Sequence, residues 1–240
     1  MSKVQLVTKT EGVGKYKGLT SEEIVSAIAR HGVIKEDGGK LVKYLMKEHH
    51  WSPLDMINFT FEVETSRAIA RQWLRHSSIK PQEHSQRYSD RVLFEDIELR
   101  LEHPTNRQSS TETVCIVSKE DKSAYSMDIL DMGDVKPINN KYRDYGSKVF
   151  NLLTEIENLY KEGIELGIAK ECVRMFLPEC TTTTLTFNGS LRSWLSFLNV
   201  RCDHHSQKEI VVLATQVGEI LEQELPNVFA QIDWKNGMFM

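Results

Sequence analysis

The groups most able to do chemistry crowd between Arg67 and Arg91, where Arg67, Arg71, Arg75, Arg87, Arg91 and Lys80 stand against only Glu83 and Asp90. The whole chain carries 30 Lys and Arg against 34 Asp and Glu, a net charge of −4, so this is a focused site for an anion and not a general basic coat. Within it, Arg71-Gln72-Trp73-Leu74-Arg75-His76 and Gln82-Glu83-His84-Ser85-Gln86-Arg87-Tyr88 offer forked guanidinium donors and amides that can read a base edge. They also supply a hydroxyl and a carboxylate able to orient arginines or accept from a ribose hydroxyl. A mononucleotide needs that mixture. Arginines four apart are, by themselves, more often a solvated, salt-bridged helix face, so the cluster takes its meaning from what accompanies it.

Composition narrows the remaining classes. The acidic balance argues against a surface that binds nucleic acid throughout. Cys115, Cys172, Cys180 and Cys202 lack CxxC spacing and read as reduced thiols. His49-His50 and His204-His205 beside Cys202 would point to opposite sides of a regular element, so no metal is expected. No apolar stretch approaches the ~20 residues of a membrane span and the N-terminus lacks a signal pattern, which predicts no membrane association and a cytoplasmic location. Trp51, Trp73 and Trp194 are expected as core aromatics.

Several elements must position these groups. Thr20 and Glu23 have capping-box spacing and predict a helix from about residue 21, closed by Gly38-Gly39, with a second apolar period through Leu41, Tyr44 and Leu45. Alternation at Ile57, Phe59, Phe61 and Val63 predicts a half-buried strand, after which Thr65 and Ser66 cap a helix that buries Ile69, Trp73 and Leu74. Pro81 ends that helix, and a strand is expected from Tyr88 to about Leu101. Residues 103–145 read as an excursion with short strands. From Ser147, apolar residues at 149, 152, 153, 156, 159 and 160 predict an amphipathic helix ended by Gly163 and Gly167, then another helix to Leu177-Pro178. Thr181 to Phe187 reads as a strand turned by Asn188-Gly189. A helix burying Leu191, Trp194, Leu195 and Leu198 follows, with Arg192, Ser196 and Asn199 on its polar stripe. Ser206 and Glu209 predict a capping box for a last long helix from Ile210 to Leu225. The class is α+β: a central, mainly antiparallel sheet flanked by helices, as a single domain over 1–240.

Order and spacing across distant segments resemble the flavin-dependent thymidylate synthases. Residues 71–88 are similar to the signature RQxxRHRxxSxNExSxRY at Arg71, Gln72, Arg75, His76, Glu83, Ser85, Arg87 and Tyr88. His50-Trp51-Ser52-Pro53 with Phe59-Thr60-Phe61 resembles the family's upstream pattern. Arg174-Met175-Phe176-Leu177-Pro178, Leu191-Arg192-Ser193, Phe197 to Arg201 and Gln207-x-Glu209-Ile210 resemble its downstream one. The likeness covers roughly residues 20–230 and is poor over 95–145.

The resemblance implies a homotetramer that converts dUMP to dTMP with FAD, methylenetetrahydrofolate and NADPH. It places Gln72, Arg75, Glu83, Ser85, Arg87, Arg174 and Arg201 at dUMP, Arg87 reaching it from a neighbouring subunit. It places His50, Ser52, Arg75, His76, Ser77, Glu83, Ser190, Arg192 and Ser196 at FAD, and makes Arg201 the catalytic group that stabilises charge on the uracil ring. Such enzymes polarise the ring with arginine and need no catalytic cysteine. Departures lie on the flavin and folate side: Ser77 replaces the signature's second arginine, Lys80 its first serine and Gln82 its asparagine, while Ser190 and Ser196 replace asparagines and Gly32 a serine. Lys80 would restore the lost charge from one helical turn away if the helix persists that far. Alternatives from these departures are a flavin-dependent pyrimidine nucleotide modifier with another product, such as hydroxymethyl-dUMP, and a non-catalytic paralogue that binds nucleotide or nucleic acid.

Overall fold

The computed structural model describes residues 2–87, 92–107, 109–118, 140–237 and 239–240. They cluster into two compact units that the chain enters more than once. Among the described residues, one comprises those of 3–64, 71–83 and 184–240, and the other comprises Ser2 and those of 65–70 and 84–183. In chain order the elements are β1 (Lys3–Lys9), α1 (Ser21–Ala29), α2 (Gly38–Lys47), β2 (Asn58–Ser66), α3 (Arg67–Leu74), β3 (Lys80–Glu83), β4 (Ile97–Glu102) and β5 (Ser110–Val117). They continue with α4 (Asn140–Glu165), α5 (Lys170–Val173), β6 (Thr182–Ser190), α6 (Leu191–Arg201), α7 (Lys208–Glu224) and α8 (Pro226–Phe229). The described residues are therefore α+β, with an antiparallel sheet flanked by helices.

The first unit holds the sheet in the order β1-β2-β6-β3. β1 pairs antiparallel with β2, Val4 opposite Val63, and β3 pairs antiparallel with β6, Pro81 opposite Phe187. Asn188 Nδ2 donates to Thr60 Oγ1 and Leu191 N to Ile57 O; the numbers rise on one strand as they fall on the other, so β2 and β6 are antiparallel as well. Phe59, Phe61 and Val63 are buried while Asn58, Thr60, Glu62 and Glu64 are not, the period of two expected from the sequence. Each such large apolar side chain contributes ~1.5–3 kcal/mol on burial. Trp73 stacks on Phe187 with centroids 5.0 Å apart and lies 4.3 Å from Phe197, and Trp194 Nε1 donates to Phe59 O at 3.0 Å. Trp51 departs from this group: it is only half-buried and tilts against His49.

Helix starts obey local chemistry where nothing competes for the cap. Thr20 Oγ1 accepts from Glu23 N, and Glu23 Oε2 accepts from Thr20 N at 2.7 Å, closing the expected capping box. Closure of α1 comes earlier than Gly38-Gly39, at His31 (φ 56°) and Gly32 (φ 86°), and those two glycines open α2 instead. The left-handed backbone at Gly32 accounts for glycine where the family pattern has serine, since a Cβ there would also meet Lys15 Nζ at 2.6 Å. The box expected at Ser206 does not form, because Ser206 Oγ donates to Val200 O and Gln207 takes the N-cap position of α7. Buried Glu22 caps α8 from a distance, accepting from the backbone N–H of Asn227 at 2.7 Å and of Val228 at 2.9 Å.

The second unit packs the β4-β5 hairpin against α4. Cys115, Val117 and Leu153 form its buried centre, with Ile97, Leu99, Val149 and Phe150 around it. Gly146 lets α4 approach β5, since a Cβ there would lie 2.5 Å from Cys115 Sγ. α4 begins at Asn140, ahead of the expected Ser147, and ends as expected: Gly167 (φ 76°) breaks it and Ile168 N donates to Gly163 O. The strand expected from Tyr88 begins at Ile97; residues 88–91 lie outside the described set, as do 119–139 of the excursion. Leu74, expected inside, is 42% exposed at the end of α3. Thr65 and Ser66 finish β2 rather than standing free as caps: Ser2 Oγ donates to Thr65 Oγ1, and Ser66 N to Glu95.

No helix among the described residues is long and apolar enough to cross a membrane.

Candidate active site

In the first unit, α6 organises two neighbouring groups of candidate residues. Ser190 ends β6 and caps α6, its hydroxyl accepting from Ser193 N at 3.2 Å and donating to Asp55 Oδ1 at 2.9 Å. Two residues on, Arg192 Nη1 donates to the other oxygen of Asp55 at 3.2 Å. Asp55 sits in the short 3-10 turn Ser52–Met56, so this carboxylate joins the Ser52-Pro53 turn to the start of α6. Ser52 is exposed at the head of the turn, His50 lies edge-on to Tyr44 at 6.2 Å, and Ser196 is half-buried one turn beyond Arg192. The Asn188-Gly189 turn expected here does not exist. β6 runs straight through to Ser190 because β2 and β3 still flank it, and that continuity delivers Ser190 to the cap.

The second group lies at the far end of α6. Arg201 Nη2 donates to the main-chain carbonyl of Gln72 at 2.8 Å, while Gln72 Nε2 donates to Gln207 Oε1 at 2.7 Å. His76 packs edge-on against Phe197, centroids 5.6 Å apart. Burial holds the His76 imidazole below its ordinary pKa, a hydrogen bond to the Ser193 backbone opposes the shift, and the Arg201 charge adds to it. Burial and the nearby Arg75 charge likewise pull Arg201 below the ordinary arginine value. Arg75 and Arg201 thus supply positive charge beside a neutral His76 imidazole, with Arg75 exposed just past the end of α3. His76 Nε2 and Arg201 Nε are both buried without a hydrogen-bond partner in the protein. Such orphaned groups cost free energy unless a ligand satisfies them, so the residues fit a bound polar heterocycle.

Ser77 is exposed, and its carbonyl accepts from Lys80 Nζ at 3.4 Å. The helix does not persist to Lys80, which opens β3; a tight turn, not a helical one, returns the ammonium to Ser77. Glu83 closes β3 opposite Leu185.

The remaining nucleotide candidates lie in the second unit. Arg87 N donates to Ser85 Oγ at 3.3 Å, and Arg87 Nη2 pairs with Glu171 at 3.0 Å. Glu171 lies on α5, which leads directly into the 3-10 turn Arg174–Phe176 carrying Arg174. Arg67 meets Gln86 in the same unit.

Two residues of this arrangement were not singled out as site residues from sequence, Asp55 and Ser193. The signals were Asp55 three positions after Ser52, one short turn on, and the Ser190-x-x-Ser193 cap spacing. The divergence expected of His204 and His205 also fails. Residues 202–206 form a turn, so the two rings lie 3.8 Å apart and His205 Nδ1 hydrogen-bonds Asp203. Cys202 is not part of that cluster; it is buried, and burial pushes its thiol up to about 12.

The model of the thymidylate synthase complementing protein family matches residues 9–227, a span that contains every candidate named above. The chain belongs to this family. Within it, the chain is similar to a flavin-dependent thymidylate synthase of Synechocystis sp., 34% identical over 231 residues, which cover 95% of this chain and 97% of that protein. A probable flavin-dependent thymidylate synthase of Paramecium bursaria Chlorella virus 1 is 31% identical over 241 residues, covering 97% and 99%. One from Dictyostelium discoideum is 32% identical over 197 residues, covering 80% of this chain and 57% of its own length. The chain spans nearly the full length of the first two.

Proposed function

We propose that this protein methylates dUMP to dTMP as a flavin-dependent thymidylate synthase. Family membership over residues 9–227 supports the class, and the observation that carries the site is the pair of unpartnered buried nitrogens, His76 Nε2 and Arg201 Nε, beside Arg75. FAD is the cofactor, held by His50, Ser52, Arg75, His76, Ser77, Glu83, Ser190, Arg192 and Ser196; methylenetetrahydrofolate gives the carbon and NADPH the electrons. When bound, the reduced flavin supplies hydride, chemistry no side chain offers. The chain's own task is to bind and polarise. Gln72, Arg75, Glu83, Ser85, Arg87 and Arg174 bind dUMP, and Arg201 stabilises negative charge on the uracil ring as density builds at C5. Neutral His76 keeps a third cation from standing beside Arg75 and Arg201.

The working protein is a cytoplasmic homotetramer in which Arg87 serves a neighbouring subunit's nucleotide, and 1–240 acts as one functional domain. Titrating FAD into the purified protein and following the visible spectrum, then adding dUMP or dCMP at fixed salt, tests the reading. It predicts a bound flavin whose spectrum responds to dUMP and not to dCMP; no flavin binding, or equal response to both nucleotides, would contradict it.

A further inference from the structure

The turn that joins α6 to α7 holds a group of side chains that the proposed flavin chemistry does not use. Asp203, His204 and His205 are the one set of three His, Cys, Asp or Glu among the described residues whose ligand atoms all lie within 4.8 Å of one another. Neighbouring side chains on a regular helix or strand diverge, but the turn over 202–206 brings the two rings to 3.8 Å between centroids, tilted by 42°. His205 Nδ1 lies 2.8 Å from Asp203 Oδ1, and His204 Nδ1 lies 3.8 Å from Asp203 Oδ2. Both histidines are exposed, whereas Asp203 is only 8% exposed.

The two oxygens of Asp203 are not alike. Oδ1 accepts from the His205 backbone N–H at 2.7 Å and meets the His205 ring, so it serves as a cap of the turn. Oδ2 is buried without a hydrogen-bond partner, and at 3.8 Å the His204 ring is too far to provide one. A buried carboxylate oxygen left bare costs free energy, so capping the turn explains only half of this carboxylate. A cation bound beside it satisfies the other half. Ligand atoms at ~2.0–2.2 Å from a tetrahedral ion stand ~3.3 Å apart, and the carboxylate–imidazole distances here, 2.8 and 3.8 Å, lie on either side of that value. Two imidazoles with one carboxylate suit a transition ion such as Zn2+ better than Mg2+ or Ca2+, which take oxygen ligands. We infer that Asp203, His204 and His205 form a binding site for one divalent transition-metal ion, its fourth position open to water. To ligate through Nδ1, His205 takes the Nε2–H tautomer and stays neutral. The ion staples the turn between Arg201 and Gln207, the two residues that hold Gln72. This site is separate from the proposed flavin and nucleotide contacts, which include none of its three ligands.

Calorimetric titration of zinc chloride into the chelator-washed full chain, in excess magnesium chloride, tests the site. The wild type takes up one Zn2+ per chain, and zinc raises its midpoint of thermal unfolding, as any ligand selective for the native state does. Asp203→Asn keeps an oxygen to cap the turn while removing the charge at Oδ2. His204→Ala removes an exposed ring that takes no part in that cap. Each substitution weakens zinc binding ~10-fold or more and abolishes the thermal shift, while the circular dichroism of the zinc-free protein is unchanged. A wild type that takes up no zinc, uptake that both variants retain in full and that is therefore adventitious, or magnesium bound as well as zinc would overturn the assignment.

Discussion

Arg201 Nη2 lies 2.8 Å from the main-chain carbonyl of Gln72, which ties the last turn of α6 to α3 and leaves Nε of the same guanidinium buried without a partner. One edge of the fork is thus fixed by the fold and another is available to a ligand. A donor already oriented when charge develops loses little to reorganisation, the condition under which electrostatic stabilisation is largest. Arg201→Ala should lower turnover by ~100-fold or more with flavin still bound. A loss of only a few-fold would remove Arg201 from the chemistry.

Asp55 holds Ser190 and Arg192 at once, so its removal should loosen the flavin side of the site without touching the sheet. The Arg192 pair is half-exposed and contributes modestly, whereas the Ser190 bond is part-buried. Together they predict that Asp55→Ala weakens FAD binding by ~10-fold, with Asp55→Asn intermediate. Fluorescence titration of FAD measures this; equal affinities for all three proteins would show that the carboxylate has no part in positioning.

The sequence disclosed local devices and the α+β class, and missed what depends on distant partners. The Thr20–Glu23 box and the inner face of β2 were legible because their causes lie within a few residues. β3 was not: Lys80-Pro81-Gln82-Glu83 has no strand character of its own and is made a strand by β6. Asn188-Gly189 carried a turn signal that two flanking strands override. Leu152 and Leu153 look alike in a helical period, and only the position of the hairpin separates them. At the candidate site, the resemblance pointed to Arg75, His76 and Arg201, which the structure brings near one another, but the sequence did not show that His76 is neutral or that Asp55 joins two elements.

His76 makes stability depend on pH. Its folded pKa is below the ordinary 6.5, so in mildly acidic solution the unfolded chain binds a proton that the native state does not. The contribution is complete above 6.5 and is lost as pH falls from there toward the folded value. Urea midpoints measured from about pH 7 to pH 5 should fall more steeply for the wild type than for His76→Gln. Parallel curves would mean the imidazole is not held neutral.

Glu22 accepts two backbone N–H groups and the Asn227 side chain at the start of α8 while almost fully buried. Glu22→Ala strands those donors and should cost ~2–3 kcal/mol of unfolding free energy, with Glu22→Gln costing less. Chemical denaturation reads the difference; a change below ~0.5 kcal/mol would mean that water replaces the cap.

The most direct test of the central claim is an anaerobic single turnover. The holoprotein is reduced, then mixed with dUMP and methylenetetrahydrofolate, while the flavin absorbance and the nucleotide products are followed together. The account predicts that flavin reoxidises in step with dTMP, one for one. Flavin that stays reduced, or reoxidises while dUMP is recovered unchanged, would contradict it.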